Sequence, residues 1–292
     1  KRLASESPAP IEVVQVPLFA GVRSDEVQEV LGGLRGLGID AQMILMLGGG
    51  NPMRPEDESS FVAAALELVA QARDLGMTQL SSTSLEVWMD PDAQRLEGPA
   101  YREAVTQLAK VHERIFCEAE LESSPVQNWH LEFLRDGEFR TFTNLQRGWD
   151  VVHAINERVG TPFFKVLVDT AHCGDSDLSL EENQSLLAKI GAAQELGVFH
   201  ASAKTTRGCL STDDGWIGAL LRAAAETGEL QFVLVEAFAH DDEALAGLRQ
   251  LDPRHGVDTT DGRNYDQVVM DGLVDVQRRL NNLAQRGCLA RR

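Results

Sequence analysis

Four residues of this chain carry side chains that bind hard cations, and they recur at nearly one spacing. Glu132, Asp169, His200 and Glu236 close the runs NWHLE, FKVLVD, GVFH and FVLVE. They stand 37, 31 and 36 residues apart, each step being the length of one strand-plus-helix unit. Each has an ordinary reading when taken alone. Asp169, in VLVDTAHCGD, sits where aspartate commonly caps the next segment. A strand-end glutamate such as Glu132 or Glu236 is usually solvated, and a single histidine on an apolar strand is more often a hydrogen-bonded core residue than a ligand. Four of them at the same end of four consecutive units are harder to explain that way. Carboxylates at the ends of buried strands are costly unless a shared cation offsets their charge. Three carboxylates and one imidazole form a mostly oxygen donor set, which suits Mn²⁺ or Mg²⁺, with Co²⁺ and Zn²⁺ as alternatives, better than a closed structural zinc.

The elements that must position these groups alternate. Strand patterns fall at 11–16, 40–47, 77–83, 127–133, 164–170, 197–203 and 232–238, with helical periodicity near 24–36, 58–75, 99–119, 144–159, 180–195, 213–227 and 241–250. Gly36, Gly38, Gly76, Gly160 and Gly197 read as helix stops. Seven strand–helix units in series predict a (β/α)8 TIM barrel, whose closure needs eight strands. The first strand is expected to precede Lys1, with KRLASES as the tail of its helix. In such a barrel consecutive strands place equivalent ends side by side on the C-terminal rim, where active sites are built. An open doubly wound sheet is the competing architecture. GGGNP at 48–52 lacks the spacing of a nucleotide cradle and reads as a loop. No Pro/Ser/Gly-rich linker divides the chain, so residues 1–292 are expected to form one domain, with an amphipathic helix at about 264–285 packing on the barrel.

Among the 292 residues, 45 acidic against 27 basic side chains leave a formal charge of -18. Such a surface repels phosphate backbones and anionic lipid, so nucleic acid and membrane are excluded as expected partners, while a divalent cation is attracted. Cys117, Cys173, Cys209 and Cys288 show no CxxC pairing, which fits a reducing, cytoplasmic setting better than a disulfide framework. Cys173 reads as a small core filler. Trp88, Trp129 and Phe238 are expected to pack in the barrel rather than stack on a ligand. Ser81, Ser82, Thr83 and Ser84 make a polar strand end, either a loop cap or a pocket wall, and Glu86 and Asp90 are secondary candidates for pocket acids.

The stretches WHLEFLRDGEFRTFTN, VLVDTAHCGDSD, VFHASAKTTRG and LVEAF resemble, in order, the strand-end motifs of the xylose-isomerase-like TIM barrels, the sugar phosphate isomerase/epimerase group. Within it the likeness is to ketose 3-epimerases of the tagatose/psicose type, over roughly residues 11–250 and most specifically 127–238. The resemblance implies that Glu132, Asp169, His200 and Glu236 hold one divalent metal ion, Mn²⁺ first. It implies that Glu138, six residues after the first ligand, and His172, three after the second, contact a sugar, together with Arg207. The family's arginine follows the ligand histidine by six residues; here Thr206 has that spacing and Arg207 comes one later. GCLSTDDGW replaces the usual Pro-Gly-rich turn, and EFLR replaces the Glu-Pro-Leu-Asn common at the first ligand. Association of copies through the rim loops is also implied.

The chemistry implied is proton transfer alpha to a ketose carbonyl through a metal-stabilised enediolate, with Glu132 and Glu236 as the acid and base on opposite faces. The same site serves other readings: aldose–ketose isomerisation, dehydration of a keto-inositol, or cleavage of an oxidised glycoside. A metal-dependent abasic-site endonuclease would need more histidines and a basic groove. A non-catalytic sugar-binding or partner subunit is the alternative outside enzymes.

Overall fold

The computed structural model describes residues 2–203, 215–237, 243, 246–251 and 263–289. The strands are β1 (Val13–Phe19), β2 (Asp40–Met46), β3 (Gln79–Ser82), β4 (Asn128–Glu132), β5 (Phe164–Asp169), β6 (Leu196–Ala201) and β7 (Phe232–Val235). They form one sheet in the order β1-β2-β3-β4-β5-β6-β7. The recorded registers are parallel. Strand order equal to chain order, with helices between successive strands, is the arrangement of a (β/α)8 barrel, and the described residues supply seven of the eight strands that closure requires. Strands β3 to β6 are almost wholly buried, as strands with covered faces on both sides must be. β7 and the first half of β1, at the two ends of the order, are half-buried.

By internal contacts the chain divides into two compact units, Glu12–Leu167 and Lys1–Ile11 with Val168–Arg292. The first holds β1 to β4, most of β5, and the helices α2 (Ser24–Arg35), α3 (Glu58–Asp74), α4 (Gly98–Glu118) and α5 (Leu145–Val159). Its core is aromatic: Trp129 stacks on Phe164 with centroids 5.7 Å apart, and Phe116 and Phe163 meet edge to face at 5.0 Å. Glu58 opens α3 and joins it to α4 by bonds to Lys110 at 2.8 Å and Gln107 at 3.0 Å. These partners hold its carboxyl below the usual glutamate range.

The second unit holds the end of β5, β6 and β7, with helices α1 (Arg2–Glu6), α6 (Thr170–Asp175), α7 (Leu180–Ala192), α8 (Trp216–Glu226), α9 (Ala246–Leu251) and α10 (Tyr265–Gln285). A Ser179–Glu182 capping box starts α7, and Asn264 with Gln267 does the same for α10. The helix expected at 264–285 is therefore present, and helix is found at the KRLASES segment.

Most of the expected helix stops hold. Gly160 ends α5 in the left-handed region, at φ 75°, and Gly38 and Gly76 are left-handed as well. Gly197 does not: it lies inside β6, and the left-handed turn before that strand is made by Gln194, at φ 58°. The Gln194 N–H bonds the Gly191 carbonyl at 2.8 Å, so the turn closes two residues before the strand begins. The short α6 directly after β5 is not announced by periodicity, because six residues are too few to display it.

Candidate metal centre

Asp169 is the last residue of β5 and also the N-cap of α6. Its Oδ1 accepts the N–H of Ala171 at 2.5 Å and of His172 at 3.1 Å. Capping and metal ligation, opposed in the reading of the sequence, are compatible here because the cap bonds recorded both fall on Oδ1 and the carboxylate has a second oxygen. Thr170, the next residue, ties this turn to the end of β6: its hydroxyl donates to the Ser202 carbonyl at 2.5 Å and accepts the Ser202 N–H at 3.0 Å. That staple fixes the end of the strand carrying His200. Beyond β7, the Glu236 N–H continues the ladder to the Ala201 carbonyl at 3.3 Å, and its Oε1 lies 3.6 Å from His200 Nδ1.

Together with Glu132, the last residue of β4, these side chains each offer one ligand atom within 4.8 Å of the others. Glu132, Asp169 and His200 are buried and Glu236 is partly so. Like charges confined in a low-dielectric setting repel strongly, and a divalent cation is the simple way to offset three carboxylates at such separations. The donor set fits the group: hard oxygens with one imidazole match a cation of the Mn²⁺ or Mg²⁺ kind and equally accept Co²⁺ or Zn²⁺. The quartet is positioned to bind one divalent ion.

No protein-family model and no curated protein matches the chain. Solved structures do. An L-ribulose 3-epimerase superposes with a TM-score of 0.71 at 16% identity, over 94% of this chain and 86% of that one. A D-allulose 3-epimerase from Methylomonas sp. gives 0.70 at 17%, over 96% and 91%. A D-psicose 3-epimerase from Clostridium cellulolyticum H10, solved with D-tagatose, gives 0.67 at 14%, over 91% and 89%. The chain has the xylose-isomerase-like barrel fold. At these identities the comparison fixes architecture, and the function has to be argued from the residues.

The other expected site residues are placed as follows. His172 is buried in the first turn of α6. Glu138 is buried beyond β4, where its Oε1 pairs with Arg135 Nε at 3.0 Å and its Oε2 accepts Trp88 Nε1–H at 3.2 Å. Neither belongs to the quartet. Arg207, Cys209 and Phe238 lie outside the described residues.

Trp129 packs in the core as expected, whereas Trp88 does not: it is 46% exposed and holds Glu138. Cys173 is buried, and desolvation with the nearby Asp169 charge pushes its thiol well above the ordinary range, as an inert filler requires. Arg135, in the EFLR departure, is a neighbour of Glu138 that sequence reasoning passed over. Its signal was the Arg–x–x–Glu spacing.

A cavity of about 350 Å³ opens at the ends of β2 and β3, lined by residues including Gly50, Arg54, Asp57, Ser84, Glu86 and Trp88. Glu86 accepts three backbone N–H groups, from Arg140, Thr141 and Phe142 at 3.1, 2.8 and 3.2 Å, and so anchors the loop that follows Glu138. Burial nevertheless raises its pKa. A larger groove, about 650 Å³, lies on the helical exterior between α7 and α8 and contains none of the site residues.

Proposed function

We propose that this protein is a divalent-metal-dependent sugar isomerase/epimerase that moves a proton alpha to a ketose carbonyl. The observation that carries the reading is the quartet itself, with two glutamates among four ligand groups whose atoms lie within 4.8 Å. When bound, a divalent cation supplies positive charge to the oxygens of the carbonyl and its neighbouring hydroxyl, which makes the adjacent C–H more acidic. The residues of this chain do the rest. Glu132 and Glu236 act as the proton-transfer pair, one removing a proton from one face of the carbon and the other returning one to the opposite face. Their carboxylates belong to different strand ends, as that inversion requires. Glu138, His172 and Arg207 orient hydroxyl groups, Glu138 being held for this by Arg135 and Trp88.

The test uses purified protein with Mn²⁺ and a panel of free ketoses in D₂O, with exchange at C1 and C3 followed by NMR. Deuterium is expected at C3 for an epimerase and at C1 for an aldose–ketose isomerase. Absence of exchange with every ketose, despite metal binding, would refute the proposal.

A further inference from the structure

Behind the cavity at the ends of β2 and β3 lies a buried file of polar side chains that the proton-transfer chemistry does not use. Trp129 Nε1–H meets Ser82 Oγ at 2.9 Å, Ser82 Oγ meets Ser84 Oγ at 2.8 Å, and Ser84 Oγ meets His112 Nε2 at 2.9 Å. At the far end His112 Nδ1 lies 2.9 Å from the Leu108 carbonyl oxygen. All four side chains are at most 4% exposed.

The direction of each bond follows from what the end groups can do. An indole N–H only donates, so Ser82 accepts from Trp129. A carbonyl only accepts, so His112 carries its proton on Nδ1, and the neutral ring presents Nε2 as an acceptor. Burial supports the neutral form by lowering this histidine's pKa to about 4. Ser84 must then donate its one proton to His112, and Ser82 must donate its proton to Ser84. Every hydrogen in the file is committed, and the one on Ser84, which lines the cavity, is directed to His112.

The geometry assigns Ser84 as an obligate hydrogen-bond acceptor facing that cavity, a specificity residue that takes a donor from a sugar hydroxyl outside the reacting centre. The inference rests on the sugar reading above. The neighbouring groups agree with it: Asp57, Glu86 and Asp90 add carboxylate acceptors to the same wall. The cavity lies in the same compact unit as Glu132 and Glu138. Ser82 is paired in register with Leu131, the residue before Glu132, and Trp88 joins the cavity wall to Glu138. Bonds in series polarise one another, so the Ser84 oxygen is a better acceptor than an isolated hydroxyl.

Fluorine replaces a hydroxyl with nearly the same size but cannot donate. Calorimetric titration of the Mn²⁺-loaded protein with a ketohexose and with its 4-, 5- and 6-deoxyfluoro analogues reads the assignment directly. Wild type is expected to bind one of the three about tenfold more weakly than the parent sugar, the loss of one good hydrogen bond. In Ser84→Ala that ratio falls to within about twofold. His112→Phe, which keeps an aromatic ring against Trp129 and Phe164, frees the Ser84 proton to turn toward the cavity, and the ratio falls there too, by about threefold or more. Equal affinity of wild type for the parent and all three analogues, or full discrimination retained by Ser84→Ala, would overturn the assignment. Discrimination that depends on Ser84 without any proton exchange would leave it standing and remove the proposed reaction. Exchange without such discrimination would do the reverse, and no binding of the parent sugar would remove both.

Discussion

His112 is buried among aromatic rings, with Trp129 and Phe164 meeting its edge or face at 6.1 and 5.9 Å. A charged imidazolium there would lose its hydration without gaining a carboxylate, and desolvation lowers its pKa from 6.5 to about 4. The sign of the consequence is fixed by linkage. A base whose folded pKa is depressed leaves stability intact above the unfolded value, and stability falls as pH drops from about 6.5 toward 4, because the unfolded chain takes up the proton first. The full span corresponds to ~3 kcal/mol at about 1.4 kcal/mol per unit. Urea unfolding at pH 7 and pH 4.5 is expected to show wild type losing ~2–3 kcal/mol more than His112→Phe over that interval. Equal losses would mean that the folded ring takes up its proton as readily as the unfolded one, and burial would not be what keeps it neutral.

Close approaches help to position the elements, and among the glycines of the described residues Gly191, on α7 against the end of α8, leaves the least room for a side chain. A Cβ added at Gly191 would lie 2.4 Å from Thr227 Cβ, and Thr227 is itself fixed by its hydroxyl bond to the Ala224 carbonyl at 2.6 Å. Gly191→Ala gains helix propensity but must push the helices apart, and overpacking of this kind typically costs about 1–3 kcal/mol. A lowered Tm by calorimetry is expected; an unchanged or raised one would show that the α7–α8 contact yields freely. Nothing in the sequence marks Gly191, since helical periodicity reports which face is apolar and not how near the next helix comes. The same limit explains the other misses. Strand ends were legible because one βα unit repeats its length, so Glu132, Asp169, His200 and Glu236 could be aligned by counting. Gln194 was not, since a non-glycine left-handed residue has no sequence signature and Gly197 drew the turn to itself. His112 and Ser84 are 28 residues apart on a helix and a loop, and only folding makes them partners.

Across the whole molecule the charge of -18 acts on the fold as well as on its partners. Self-repulsion opposes compaction, and it is concentrated where three carboxylates meet at the quartet. No helix among the described residues is long and apolar enough to cross a membrane. Metal binding therefore has two separable effects, general screening of a polyanion and specific ligation, and a variant can divide them. Asp169→Asn keeps a side-chain oxygen able to cap α6, because asparagine caps about as well as aspartate. It removes one negative charge from the quartet and weakens the donor set. Mn²⁺ at about 100 times its Kd is expected to stabilise wild type by about 2.7 kcal/mol, and chelation to reverse it. NaCl at matched ionic strength accounts for the screening share, which falls with Debye length and is common to both proteins. The metal-free variant should unfold within ~1 kcal/mol of metal-free wild type, since its cap survives, while its specific Mn²⁺ gain largely disappears. If Asp169→Asn gained as much from Mn²⁺ as wild type does, the ion would be acting on the acidic surface and not on the quartet.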